Sequence, residues 1–508
     1  MRGTRTCLAT IVAVCLLAAC GGSDDDDPAD DPAEDSSSGS ITIALEQEPT
    51  TLDAQHTQDG QMRRVAENIF ERLIDRDIDD PTVLVPRLAA DLPTLIDDVT
   101  WEIKIKEGVT FTNGEPFDAA AAAAAINRQL DPDFDSELLG LIEIIEDVEV
   151  VDDTTLRLTT NGPDPILPSR LYMIQMVPPE YSQTAEFARS PIGTGPYEFV
   201  EWVPGSHIDL QANPDYWGDA PALDSARFVF LGENQSRLAA LQAGEVDLAV
   251  GLAPETADSA PQLITRKGLE HPYLRFKTYE GPAASPELRQ AAAHALNIDA
   301  YIETIYDGQA ERVQCQPIGS ESFGFNPDLQ DYEYDPERAR ELVEASGYGG
   351  ESIRMLAPTG RWSKFEELSE VAVADLSEVG INVALESVPF DPWLEGYRIP
   401  IGEGQPDIVL GAFSTEILDA DKASQFLGSR GGNSSYANDQ LSDTMDEARV
   451  TLDEEEREAL YHEALATNCE EVGLLPLLSF LDIYGASETL DWQPRFDGTT
   501  RIEEMALG

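Results

Sequence analysis

Helix-like and strand-like segments alternate along almost the whole chain, and this alternation constrains the fold more than any other feature of the sequence. Residues 41–45 form a short apolar run, and residues 101–105 alternate apolar and polar side chains as a half-buried strand does. A helix is expected over about 61–74, and an alanine-rich helix over 119–130 with Asp118 as its cap. Residues 148–159 are expected to form a hairpin around Asp152 and Asp153. Because alternating strands and helices favour sheets covered by helices, the sequence predicts an α/β protein.

Length and charge limit the classes of protein and partner. The 508 residues carry 33 Lys+Arg against 96 Asp+Glu, a formal net charge of −63. A chain this acidic repels phosphate backbones, so we expect no nucleic-acid partner. With 42% hydrophobic residues the composition is that of a globular protein, and at roughly 150 residues per domain the length suggests two to four domains.

The first twenty residues have the pattern of a signal peptide. Arg2 and Arg5 give a positive start, and residues 8–19 form an uncharged, mostly apolar run. This run is shorter than the ~20 helical residues that span a bilayer. It leads into Leu-Ala-Ala-Cys-Gly at 17–21, which resembles the lipobox of bacterial lipoproteins, whose Cys carries a diacylglycerol. The alternative is an ordinary cleaved secretory signal that contains a Cys.

Residues 21–40 favour the lipid anchor over that alternative. They contain four consecutive Asp at 24–27 and no large apolar side chain, so they cannot bury enough surface to fold. Such a segment is expected to be a disordered acidic tether. We therefore predict a body outside the cytoplasm, anchored to the cell membrane by lipidated Cys20.

The cysteines agree with this location. Cys7 and Cys15 leave with the signal peptide and Cys20 is lipidated, which leaves Cys315 and Cys469. In an oxidising compartment these two are expected to form a disulfide, although two separate buried thiols are the alternative.

The sequence lacks the usual signs of an enzyme. It contains no Gly-x-Ser-x-Gly elbow, no His-Glu-x-x-His and no phosphate loop. None of its five His pairs with another at metal-ligand spacing. We expect no catalytic residues, no metal and no cofactor.

Seven segments, in order along the chain, have recognisable motifs. One is Pro-Ile-Gly-Thr-Gly-Pro-Tyr at 191–197, and the others lie at 84–89, 101–117, 213–218, 240–248, 288–297 and 334–342. These segments resemble the family 5 solute-binding proteins of ABC importers, the group of oligopeptide-, dipeptide- and nickel-binding lipoproteins, whose P-x-G-T-G-P-Y turn residues 191–197 match. One such match is weak evidence, but the ordered series is strong.

The resemblance implies a two-lobed periplasmic-binding-protein fold (type II, cluster C-like) with an extra inserted domain. Lobe I would comprise 41–76, 190–266 and 483–508, the inserted domain 77–189, and lobe II 267–482, after the signal peptide 1–20 and tether 21–40. Ligand would bind in the cleft between the lobes, which close around it. The implied function is peptide capture for an ABC permease and its ATPase by a monomeric receptor.

The resemblance also suggests ligand-binding residues. Peptide binders hold the peptide ammonium with the Asp of a W-x-x-D-x-x-x-P pattern; here Phe413, Glu416 and Ala420 take the Trp, Asp and Pro places. Glu416 is therefore the first candidate for the ammonium partner. The further candidates are Asp419, Phe413, Trp393, Glu48 and Tyr436.

One family feature is missing. Dipeptide binders use an Arg for the peptide carboxylate where this chain has Glu366 and Glu367, and the nearest cations are Arg361 and Lys364. This favours longer peptides over dipeptides. A non-peptide cargo, such as an opine, a metal chelate, haem or an oligosaccharide, is the alternative within the same fold, and a surface hydrolase or structural lipoprotein is a remote one.

Overall fold

The computed structural model describes residues 39–134, 136–402 and 404–508. Cys20 and the predicted signal peptide and tether lie outside these residues, except for the last two residues of the tether. Among the described residues, no helix combines the length and the apolar character that crossing a membrane requires.

The strands and helices alternate as the sequence predicts. The strands are β1 Gly39–Leu45, β2 Ile74–Arg76, β3 Leu84–Pro86, β4 Thr94–Leu95, β5 Thr100–Lys104, β6 Ile145–Asp152, β7 Thr155–Thr160, β8 Tyr197–Val203, β9 His207–Ala212, β10 Leu223–Phe230, β11 Leu248–Val250, β12 Gln262–Lys267, β13 Glu270–Phe276, β14 Ala310–Arg312, β15 Ile353–Thr359, β16 Val383–Pro389, β17 Ile408–Ser414, β18 Leu474–Pro476, β19 Leu478–Ala486, β20 Leu490–Asp491 and β21 Ala506–Leu507. The helices are α1 Gly60–Ala66, α2 Ala119–Leu130, α3 Leu139–Ile142, α4 Leu167–Leu171, α5 Asn234–Gln242, α6 Pro286–Ala295, α7 Ile298–Thr304, α8 Pro336–Ala345, α9 Phe365–Glu378, α10 Phe390–Tyr397, α11 Asp439–Val450 and α12 Glu454–Glu471.

Two large sheets form the two lobes. The first lobe is built on an eight-stranded sheet of order β12-β19-β11-β1-β10-β9-β8, with β14 joined to β19. The second lobe is built on a five-stranded sheet of order β16-β15-β17-β13-β18. The chain passes between the two sheets where β12 leads into β13 and where β18 leads into β19, and β14, from the segment between β13 and β15, pairs with the first three residues of β19. This mixed α/β, two-lobed architecture is the predicted fold class.

A third sheet belongs to the segment between β2 and β8. Its four strands are ordered β4-β5-β7-β6, and β6 and β7 form the hairpin expected around Asp152 and Asp153. Helix α2 packs on this hairpin and begins where the Asp118 carboxylate accepts a hydrogen bond from the Ala121 N–H. The exact domain boundaries given above remain predictions.

Helix α1 is shorter than its apolar pattern suggests. Residues 61–74 read as one helix, but α1 ends at Ala66. Beyond it, the carbonyls of Asn68 and Ile69 accept hydrogen bonds from the N–H groups of Tyr197 and Gly195. A Cβ on Gly195 would lie 2.6 Å from the Ile69 oxygen, so this close approach requires glycine. The turn at 191–197 thus ends the helix.

Candidate functional site

The two lobes touch each other. Arg76 donates a hydrogen bond to the Ile417 carbonyl at 2.6 Å, and Arg170 lies 3.3 Å from the Asp421 carboxylate. Apolar side chains from both sides form one buried cluster at this contact: Leu138, Ile166, Tyr172, Met173, Leu269, Ile417, Leu418 and Phe496. Residues around this contact, on the facing sides of the lobes, are the natural candidates for a binding cleft.

Glu416 lies just beyond the end of β17, facing the first lobe. Its side chain is 26% exposed and its Oε2 is 3.9 Å from the Lys422 ammonium. Burial alone would raise the pKa of Glu416, but Lys422, local hydrogen bonds and Arg63 of α1 outweigh it and lower that pKa. Glu416 is therefore an ionised carboxylate at neutral pH.

Two more acidic residues, which were not among the predicted site residues, add negative charge to the same region. Glu270 begins β13, and Asp482 lies in β19. Burial raises the pKa of Asp482 to about 6, opposed by Arg64 and assisted by Glu270. Burial likewise raises the pKa of Glu270, opposed by Arg361, while the negative charge of Glu416 adds to the rise. We call Glu270, Glu416 and Asp482 the acidic cleft cluster.

A signal for Asp482 was present in the sequence. It is a charged residue within the otherwise apolar strand Leu-Ser-Phe-Leu-Asp-Ile-Tyr at 478–484. Charged residues in such strands are rarely buried without a purpose, so this interruption could have identified it. Glu270 has no comparable signal, because it begins its strand.

Cations lie beside the acidic cleft cluster. Arg64 forms no ion pair within 4 Å among the described residues, and a Cβ on Gly498 would lie 3.9 Å from its Nη2 and 3.4 Å from Asp482 Oδ2. Arg361 is exposed, with its guanidinium 5.4 Å from the Trp362 ring centre and 5.7 Å from that of Phe390. The region therefore offers groups of both signs to a ligand.

Trp393 forms the buried base of an aromatic cluster. It is 2% exposed, donates from Nε1 to the Leu410 carbonyl at 3.0 Å, and stacks on Tyr397 with ring centres 4.6 Å apart. Trp362 and Phe390 pack against it and are more exposed. These two aromatics, rather than Trp393, present the accessible surface of the cluster.

Three other predicted residues lie in the protein interior. Phe413 packs between Tyr273 and Phe426, with ring centres 5.4 and 4.9 Å away. The Tyr436 side chain is buried and its hydroxyl donates to Glu471 at 2.6 Å.

Asp419, the third, is 3% exposed and is paired with the buried Arg457. Its carboxylate also accepts a hydrogen bond from the Asp421 N–H at 2.9 Å. Because their polar groups already have protein partners or their rings face the core, the positions of Phe413, Tyr436 and Asp419 do not support the expected contact with ligand.

Glu48 lies in a separate groove on the first lobe. Its carboxylate accepts hydrogen bonds from Trp202 Nε1 at 2.8 Å and from the Gly205 N–H at 2.9 Å, both within that lobe. The groove, of about 800 Å³, is also lined by Arg189, whose guanidinium stacks 3.9 Å from the Trp202 ring centre. None of these contacts joins Glu48 to Glu416, so they do not place Glu48 with the acidic cleft cluster.

Cys315 and Cys469 form a disulfide in the structure, with Cα atoms 5.2 Å apart. It ties the segment after β14 to the end of α12. Both cysteines belong to the second lobe, so the bond does not cross the cleft.

Comparison with known proteins gives a consistent result. Residues 83–435 match the bacterial extracellular solute-binding proteins, family 5. The chain is 27% identical to heme-binding protein A of Haemophilus influenzae, covering 91% of each chain, and 26% identical to the glutathione-binding protein GsiB of Pectobacterium atrosepticum, covering 83% of this chain and 85% of that one. The ABC transporter-associated periplasmic binding protein DppA from Helicobacter pylori, solved with the peptide STSA, has the same fold, with a TM-score of 0.76, 24% identity and coverage of 92% of this chain and 98% of that one.

Proposed function

This chain belongs to the family 5 bacterial extracellular solute-binding proteins, and we propose that its cargo is a peptide with a free amino terminus. As a member of that family it is a non-enzymatic substrate-binding protein of an ABC importer and works outside the cytoplasm. The peptide binds between the lobes, and its stronger affinity for the closed arrangement draws the lobes together. The permease then receives it from the closed form.

The acidic cleft cluster is the observation that carries this proposal. An ionised Glu416, with Glu270 in its field and Asp482 in the field of Glu270, favours a ligand that brings a positive charge. A charged pair in a partly desolvated cleft is stronger than the same pair at an open surface. Lys422, at 3.9 Å, lies too far from Glu416 for a hydrogen bond and leaves that carboxylate open to a ligand ammonium.

Arg361 and Arg64 are the proposed partners of the carboxylate groups of the peptide. Both are free of ion pairs within 4 Å among the described residues, and a guanidinium suits a carboxylate through two parallel hydrogen bonds. Trp362 and Phe390, beside Arg361, offer apolar surface for a side chain. A cleft with an ammonium site and more than one carboxylate site suits peptides longer than two residues.

The relatives favour the same class of cargo without deciding it. Glutathione, the ligand for which the GsiB relative is named, is a tripeptide with a free ammonium and two carboxylates, and DppA was solved with a peptide. Haem is the second candidate, because heme-binding protein A is similar over most of both chains. Haem carries no ammonium group, however, so it would leave the ionised Glu416 without a cationic partner.

We also propose that a lipid on Cys20 holds the protein to the membrane and that residues 21–40 act as its tether. The support is the sequence pattern at 17–21 and the acidic composition that follows it. Cys20→Ala should release the body from membranes. A Cys20→Ala protein that still sediments with membranes after a high-salt wash would refute the anchor.

Native mass spectrometry of the purified protein tests the cargo. Clefts of this kind can retain ligand from the host, so a series of peptide masses released on denaturation is the expected result. A single non-peptide mass, or the visible absorbance of haem in the purified protein, would overturn the proposal.

A further inference from the structure

Three potential metal ligands meet on the hairpin of β8 and β9, on the first lobe. The ligand atoms of Glu201, His207 and Asp209 all lie within 4.8 Å of one another. His207 Nε2 is 3.7 Å from Glu201 Oε1 and 3.7 Å from Asp209 Oδ2. These residues play no part in the cleft described above.

The strand register produces this grouping. Glu201 pairs directly with Asp209 across the hairpin, and a register irregularity between Phe199 and Glu201 sets this pairing. His207 lies two residues before Asp209 on the same strand and therefore on the same face. Two carboxylates directly opposite each other repel and destabilise a hairpin unless a cation lies between them.

The His207 ring is already oriented toward the carboxylates. Its Nδ1 lies 2.8 Å from the Ser206 hydroxyl oxygen, which fixes the ring. Its Nε2 is buried and has no hydrogen-bond partner among the described residues. The His207 side chain is 16% exposed, whereas that of Glu201 is 55% exposed and leaves a route for an ion from solvent.

We propose that Glu201, His207 and Asp209 form a binding site for a divalent transition metal ion, with Zn²⁺ as the ion that this ligand set fits. One imidazole nitrogen and two carboxylate oxygens suit Zn²⁺, which takes three protein ligands and water in open tetrahedral sites. Ca²⁺ and Mg²⁺ prefer ligand sets made only of oxygen. The sequence does not indicate this site by paired histidines, because the site contains only one His and two carboxylates.

Arg227 competes with a metal ion for the Asp209 carboxylate. Its Nε lies 2.7 Å from Asp209 Oδ1 and its Nη2 lies 2.6 Å from Asp209 Oδ2. Arg227 therefore neutralises one of the two carboxylates and lowers the affinity for a cation. Arg227→Gln should bind Zn²⁺ more tightly than the wild type.

Calorimetric titration of the full chain with Zn²⁺ tests the site. The acidic surface will bind some metal weakly, so the measured quantity is the difference between variants. Loss of a metal ligand should weaken the site by at least about tenfold, so His207→Gln should lack one binding event that the wild type shows. The matched control is His462→Gln, because His462 lies near one carboxylate, Glu458 at 3.9 Å, whereas His207 lies near two.

One further variant completes the test. Glu201→Gln, at an exposed position where folding is not at risk, should weaken the same event. If His207→Gln binds Zn²⁺ as the wild type does, or if Ca²⁺ fills the site equally well in both, the grouping is only a set of surface charges and the proposal fails.

Discussion

At the scale of single residues, Glu416 and Asp482 of the acidic cleft cluster differ in the pH at which they gain a proton. The pKa of Glu416 is lowered, because Lys422, local hydrogen bonds and Arg63 outweigh burial. The pKa of Asp482 is raised by burial to about 6. Glu416 is therefore a permanent anion near neutral pH, whereas Asp482 gains a proton in mildly acidic solution.

Replacement of Glu416 by Gln should weaken the binding of a cargo peptide. Removing one partner of a desolvated charge pair costs about 2–5 kcal/mol, or roughly 30-fold and more in affinity. Calorimetry with the peptide and its N-acetylated form should show a loss for the free amine only. Glu378→Gln, whose side chain is 64% exposed, is the control. Equal binding by both peptides to the variant and the wild type would make Glu416 a surface acid.

Asp482→Asn should stabilise the protein at neutral pH. A carboxyl whose pKa is higher in the folded state than in the unfolded chain binds its proton more tightly when folded, so stability falls as pH rises from about 4 to about 6. The variant avoids this loss, and we expect a gain of up to about 2 kcal/mol at pH 7 that disappears at pH 4. Urea unfolding at both pH values measures it. A gain that is the same at both would contradict the assignment.

At the scale of elements, buried ion pairs attach the C-terminal segment to the first lobe. Arg501 pairs with Asp75 in the middle of β2 and lies 3.5 Å from Glu67, while Arg495 lies 3.3 Å from Asp75. Burial would raise the pKa of Asp75, but Arg501 and Arg495 outweigh it and hold that pKa well below its usual range. The segment after β19 is thus fastened to β2 by charge as well as by apolar contact.

Asp75→Asn should destabilise the protein by about 3 kcal/mol, because it removes the anion that two buried guanidinium groups share and leaves Arg495 only Glu504 and Arg501 only Glu67. The depressed pKa also means that this stabilisation is present above pH ~4 and is lost as the pH falls further. Urea unfolding of the variant and of Asp443→Asn provides the comparison. Asp443 pairs with Arg430 at 2.6 Å but is 75% exposed, so its loss should cost less than about 1 kcal/mol. Similar losses from both variants would refute the buried network.

The disulfide gives a prediction at the same scale. Cys315 and Cys469 are 154 residues apart, so in the chain-entropy model their bond contributes up to ~4–5 kcal/mol. Reduction should lower the urea midpoint, and denatured, unreduced protein without its leader should take up no iodoacetamide on these cysteines. Two adducts under those conditions would contradict the bond.

At the scale of the whole molecule, charged pairs join the two lobes. Asp421 lies between Arg170, on the side of the first lobe, and Arg449 of the second lobe, at 3.3 and 2.7 Å. Both ends of Arg170–Asp421 are largely buried, with side chains 8% and 9% exposed. Lys364 and Glu255 also approach to 3.6 Å across the lobes, but their side chains are 26% and 48% exposed.

Arg170→Gln should therefore favour the open arrangement. Loss of a buried partner across the contact should raise the radius of gyration of the ligand-free protein in X-ray scattering and weaken cargo binding several-fold, mainly through faster dissociation. Lys364→Gln, at the exposed pair, should change neither quantity measurably. If the two variants scatter alike, the Arg170–Asp421 pair does not control closure.

The sequence predicted the architecture better than the site. Local signals such as the Asp118 cap, the 152–153 turn and the 191–197 turn act over a few residues, so strand and helix positions could be read directly. The acidic cleft cluster is made by residues far apart in the chain: Glu416 acts on Glu270 and Glu270 acts on Asp482, although β13 and β19 belong to different sheets. Trp393 and Tyr436 matched family positions, but their burial depends on packing that no local pattern encodes.

A crystal structure of the protein with its retained cargo tests the central claim most directly. We predict a peptide between the lobes, with its terminal nitrogen within hydrogen-bond distance, ~3 Å, of the Glu416 carboxylate and a carboxylate near Arg361 or Arg64. A non-peptide ligand in the cleft, or a peptide whose amino terminus lies away from Glu416, Glu270 and Asp482, would contradict it.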